Sequence, residues 1–135
     1  MVVVEGRYLG DLRCEATHGP SGSKVVTDAP ADNMGRGEAF SPTDLVGTAL
    51  GTCIVTTMAI VGVRRGIDLS AARFRVEKHM MTDPVRRIGR LPVTIFLPAA
   101  LDAEQRKILE RAAYTCPVHK SLHPEIEAPI TFVYA

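Results

Sequence analysis

Hydrophobic and polar positions alternate over short segments toward both ends of the chain, and an uncharged run fills the stretch from Leu45 to Val63. Val2-Val3-Val4 and Arg7-Tyr8-Leu9 lead into a Gly10-Asp11 turn, and Leu12 to Ala16 continues beyond it, which predicts a hairpin. His18-Gly19-Pro20-Ser21-Gly22 is a second turn, and Lys24-Val25-Val26-Thr27 a short third strand. Asp28 to Ala39 reads as a loop, long for an idle connection. A long helix then opens on Ser41 as N-cap, Pro42 at the first helical position and Asp44 three residues after the cap. It closes at Arg64 and Arg65, before Gly66. Gly47 and Gly51 lie four apart on one of its faces and predict close approach of a second backbone.

Beyond the helix, Arg73 to Lys78 alternates with the two-residue period of a half-buried strand, and Leu91 to Leu97 reads as another. Asp102 and Gln105 mark the start of a second helix, with Leu109, Ala112, Ala113 and Cys116 forming one buried stripe. Pro117 predicts that this helix ends or bends at Cys116. Ile130 to Tyr134 closes the chain as a strand. The predicted order is β-β-β-α-β-β-α-β, an α+β fold in a single domain spanning residues 1–135.

The central helix carries no charge from Leu45 to Val63. That length is borderline for a bilayer span, which needs about 20 apolar residues. Four threonines and three glycines within it make it weakly hydrophobic for lipid. The expectation is a helix enclosed by protein on nearly every side, and 135 residues cover such a helix poorly, which hints at a dimer. The N-terminus lacks the cationic start and long apolar region of a secretory signal, so the expected location is the cytoplasm. With 16 basic against 15 acidic side chains, the sequence has no basic stripe of the kind that binds nucleic acid.

Three cysteines without a signal sequence do not read as a disulfide framework. Cys53 lies within the long helix and Cys116 at the end of the second; helices packed face to face would bring both sulfurs into one interior. As small hydrophobes, both are equally at home in a core. Cys14, on a strand, adds nothing beyond that. Cys116, His119 and His123 have the spacing of half a zinc site, but a fourth ligand is missing, and no metal is assigned.

Ser41-Pro42-Thr43-Asp44-Leu45, Ala49-Leu50-Gly51-Thr52-Cys53 and Cys116-Pro117-Val118-His119-Lys120-Ser121-Leu122, taken together and in this order, resemble the OsmC/Ohr family of bacterial hydroperoxide reductases. The resemblance implies an OsmC-like fold in an intertwined homodimer, and a cofactor-free thiol peroxidase of the antioxidant stress response. By resemblance, Cys53 is the peroxidatic and Cys116 the resolving cysteine, with organic hydroperoxides as substrate. An external dithiol of lipoyl or thioredoxin type would be the reductant. The alternative is an OsmC-like protein that binds a small hydrophobic ligand or senses redox state without efficient turnover.

Burial alone would quench Cys53, so a nearby cation is expected to activate it. The best-known branches of the family place an arginine in the turn after the second strand and a glutamate near the start of the central helix. This chain has no arginine in the turn from His18 to Gly22, and Thr43, beside Asp44, stands where the glutamate is expected. Arg36, in the long loop, is the candidate replacement, with His18 and Lys24 behind it. Asp44 is a candidate for orientation as well as for capping.

Overall fold

The computed structural model describes residues 1–135, which form two compact units, Met1–Leu45 and Val46–Ala135, joined in the first turn of the long helix. The first unit is an antiparallel three-stranded sheet in the order β1-β2-β3, with β1 Val4–Gly10, β2 Arg13–His18 and β3 Lys24–Asp28. The hairpin turns through Asp11 and Leu12, both at positive φ (52° and 61°), the pair of left-handed residues that a two-residue turn needs to match the strand twist. At the second turn Gly22, at φ 74°, donates its amide to His18 O at 2.7 Å.

The long loop is knitted to the end of β3. Asp28 is buried, and its Oδ2 accepts the Glu38 amide at 3.1 Å while its backbone N–H bonds Phe40 O at 3.0 Å. A single 3-10 turn, Ala31–Asn33, punctuates it. Helix α1, Pro42–Arg64, then starts as its sequence dictates. Ser41 Oγ accepts the Asp44 amide at 3.1 Å and Asp44 Oδ2 accepts the Ser41 amide at 2.9 Å, a reciprocal cap.

In the second unit α1 ends in a Schellman motif: Ile67 N–H bonds Gly62 O, Gly66 N–H bonds Val63 O, and Gly66 takes φ 70°. Gly47, Leu50, Gly51, Ile54, Met58 and Gly62 form its buried stripe. The helix is long and apolar enough to cross a membrane, yet the stripe is packed on protein: Leu50, Ile54 and Met58 are fully buried. The close approach at the glycines comes from side chains rather than from a second backbone. A Cβ on Gly51 would stand 2.5 Å from the Phe74 ring and 2.9 Å from Val76 Cγ2. The enclosure is also partial, because Thr52, Thr56, Ile60 and Val63 are exposed along the opposite face.

Four strands rather than two separate the long helices. β4 (Arg73–Val76) pairs antiparallel with β7 (Val93–Leu97), and β8 (Ile130–Tyr134) lies parallel on the other side of β7. A separate hairpin, β5 (His79–Met81) with β6 (Arg87–Arg90), occupies the segment between the two expected strands, to which no element was assigned. These strands are three and four residues long, too short for a period to show. β7 is the centre of its sheet and alternates as predicted, with Val93, Ile95 and Leu97 in the core.

Because β7 and β8 are parallel, a long crossover must join them, and it carries α2 (Ala103–Ala113) and α3 (Pro117–Ser121). Asp102 and Gln105 form the expected capping box of α2. Leu109, Ala112, Ala113 and Cys116 are all buried, but Cys116 does not belong to α2. The helix stops at Tyr114, and Cys116 instead caps the start of α3, whose first residue is Pro117. Proline there disfavours the helical conformation at Cys116 and suits a helix start, so one residue both ends the first segment and opens the next.

Candidate active site

Helix α1 presents Cys53 one residue before the buried Ile54, which leaves its thiol partly accessible at the edge of the core. The cap position of α3 presents Cys116, which has no exposed surface. Both sulfurs are free thiols, and they are close enough for the Cys116 S–H to donate to Cys53. The remaining donors come from the same turn. The Val118 amide points at Cys53, and the His119 amide reaches Cys116 Sγ at 3.4 Å. Thr57, one turn along α1, places its Oγ1 4.0 Å from Cys53 Sγ.

These neighbours act on the two thiols in opposite senses. Burial pushes Cys53 up, but bonds from the Cys116 thiol, the Val118 amide and the Thr57 hydroxyl outweigh it and hold Cys53 below the ordinary thiol value. Burial also pushes Cys116 up, and its service as donor to Cys53 adds to this, against the amides of His119 and Val118. The pair therefore shares its protons unequally. Of the two, Cys53 gives up its proton more readily and Cys116 holds its proton longer, and the thiolate is the nucleophilic form of a cysteine.

The donors that the second unit itself supplies to Cys53 are uncharged. Thr57 was legible in principle, since i and i+4 share a helix face. The Val118 amide was not, because a backbone donor leaves no mark in residue identity. His18, Lys24, Arg36 and Asp44 belong to the first unit. There His18 Nδ1 lies 2.6 Å from Ser21 Oγ, Lys24 Nζ donates to Thr17 Oγ1 at 3.0 Å and to Glu15 at 3.3 Å, and Asp44 caps α1. Arg36 is exposed in the loop after the 3-10 turn. Exposed Cys14 sits mid-strand in β2, opposite Tyr8 and Thr27.

The residues with zinc-like spacing face separate partners. His119 Nε2 bonds Ala128 O at 3.1 Å, and His123 Nδ1 accepts the Glu125 amide at 3.1 Å. No group of three or more His, Cys, Asp or Glu side chains is gathered as a metal would need.

Solved structures of proteins described as organic hydroperoxide resistance proteins superpose on this α+β fold. A protein from Legionella pneumophila, described as an organic hydroperoxide resistance protein OsmC, matches 98% of this chain and 96% of its own at 13% identity, with a TM-score of 0.79. The organic hydroperoxide resistance protein OhrB of Bacillus subtilis matches 98% and 97% at 17% identity and a TM-score of 0.70. At these identities the likeness is one of fold. A putative osmotic stress induced and detoxification response protein from Psychrobacter arcticus 273-4 is nearer, at 41% identity over 98% of this chain and 96% of that one, with a TM-score of 0.92. Residues 35–130 match the family described as OsmC-like protein, and the chain belongs to that family. No curated protein matches the sequence.

Proposed function

We propose that the protein is a thiol-dependent peroxidase that reduces organic hydroperoxides through Cys53 and Cys116. The observation that carries this reading is the unequal thiol pair: one sulfur held below and its neighbour above the ordinary thiol value, within hydrogen-bond reach of each other. The Cys53 thiolate attacks the terminal oxygen of the hydroperoxide. The O–O bond breaks, an S–O bond forms, and the alkoxide leaves and takes up a proton as alcohol, leaving Cys53 as sulfenic acid. The Cys116 sulfur then displaces the hydroxyl, which departs as water with the Cys116 proton, and a disulfide forms. An external dithiol, of lipoyl or thioredoxin type, reduces that disulfide and is itself oxidised.

The fold family supports this reading, since its structural neighbours include organic hydroperoxide resistance proteins. The reading extends to a cytoplasmic homodimer, as the resemblance implies, and Arg36 remains its candidate for a supplementary charge. The deciding experiment treats the reduced protein with an organic hydroperoxide and maps the product by intact and peptide mass. The expected product has lost two hydrogen atoms through a Cys53–Cys116 bridge, and Cys53→Ser consumes no peroxide. Equal peroxide loss by wild type and Cys53→Ser, or oxidation confined to Cys14, would refute it.

A further inference from the structure

The five residues of α3 are too few to hold a helix alone, since isolated helices shorter than about 12 residues are marginal in water. Its internal bonds close it on itself: His119 N–H to Cys116 Sγ, Lys120 N–H to Cys116 O, and Ser121 Oγ to Pro117 O. None of these ties it to the rest of the fold. Val118 and Leu122 pack on the core, and the side-chain hydrogen bond that adds direction to this packing is made by the His119 ring. Its Nε2 lies 3.1 Å from Ala128 O, and a carbonyl only accepts, so Nε2 carries the proton and donates. Ala128 is itself immobilised. The residues on either side of it are bonded to the strands, Glu127 through Gly89 O and the Leu91 amide, Pro129 through the Val93 amide. On the approach to Cys116, the Tyr114 ring meets the imidazole edge-on, with centroids 6.3 Å apart.

We propose that His119 is the positioning residue of the thiol pair: its Nε2–H bond to Ala128 O holds the first turn of α3 so that the amides of Val118 and His119 stay aimed at the sulfurs of Cys53 and Cys116. Without that bond only the apolar packing of Val118 and Leu122 holds the turn, the aim of the Val118 amide slackens, and Cys53 loses part of a donor bond that favours its thiolate. The proposal rests on the peroxidase reading for its purpose, but it concerns the thiols themselves and is measurable without peroxide.

The test is site-resolved alkylation of the reduced full-length protein by iodoacetamide across pH, comparing wild type with two variants. His119→Phe keeps a ring against Tyr114 but has no donor; His119→Gln keeps a side-chain N–H. The expected result is a Cys53 profile displaced to higher pH in His119→Phe. A displacement of one pH unit lowers the neutral-pH rate about tenfold. His119→Gln should recover most of the loss. A wild-type profile in His119→Phe, or a Gln variant displaced as far as the Phe variant, would overturn the proposal. A readout needing no variant is the tautomer of His119 in the wild-type protein by NMR. Nε2–H is expected, and a neutral ring protonated only at Nδ1 would overturn it. Should wild type show the expected thiol profile yet fail to reduce hydroperoxides, the peroxidase reading falls while the role of His119 stands.

Discussion

A thiol becomes a nucleophile when its neighbours favour its anion by more than burial disfavours it. At Cys53 that balance is set by three uncharged donors, one of them the partner thiol. The sign of the pH dependence follows. As pH rises, Cys53 ionises first, below the ordinary thiol value, while Cys116 stays protonated and keeps donating. Only at higher pH does Cys116 ionise and withdraw its proton from the shared bond. Replacing Cys116 therefore separates its two parts. Cys116→Ser retains an O–H donor, so Cys53 alkylation should keep an acid-shifted profile, whereas Cys116→Ala should move it toward higher pH. In both variants peroxide should leave Cys53 as a sulfenic acid that a dimedone adduct reveals. An unchanged profile in Cys116→Ala would show that the partner thiol does not stabilise the anion.

Among the elements, those with a pattern or end signals of their own were the legible ones. The start of α1 is written in Ser41, Pro42 and Asp44, its end in Gly66, and α2 begins at Asp102 and Gln105 as expected. Three short pieces were not legible, although β4, equally short, showed itself by its alternation. β5, β6 and α3 hold three to five residues each and depend on their neighbours rather than on any pattern of their own. Cys116 shows the consequence: its burial followed from the α2 stripe, whereas its placement as a cap, with a backbone amide beside it, came from α3. Gly51 belongs to this scale too. Gly51→Leu adds helix propensity but drives a side chain into Phe74 and Val76, and Val76 is stiff at χ1. The variant should lose about 1–3 kcal/mol of stability by denaturant titration, the range for overpacking. A midpoint equal to that of wild type would mean that β4 yields without cost.

For the whole molecule, the balance of charge and the absence of a basic stripe left a local site as the place for chemistry, and the paired thiols form such a site. The proposed dimer draws its support from α1. Its buried stripe is satisfied by the strands, but Thr52, Thr56, Ile60 and Val63 form an exposed, uncharged face. Ile60 is 49% and Val63 80% exposed, more than a helix with no charge between Leu45 and Val63 would leave to water alone. The expected outcome is a dimer in sedimentation equilibrium, shifted toward monomer by Ile60→Glu together with Val63→Glu. A wild-type protein that sediments as a monomer would remove the dimer from the proposed function.

The cap of α3 carries a last consequence. Ser, Thr, Asp and Asn are the strong residues at a helix N-terminus, and this one has a cysteine whose sulfur accepts a long bond of 3.4 Å. Serine there would shorten that bond and fit the same space, so folding by itself gives no reason to keep sulfur. A descendant of this chain that ceased to use its thiols would be free to drift to serine at residue 116 with its architecture intact. Such relatives would superpose on this fold while being chemically silent, and the identity of one cap residue would tell them apart.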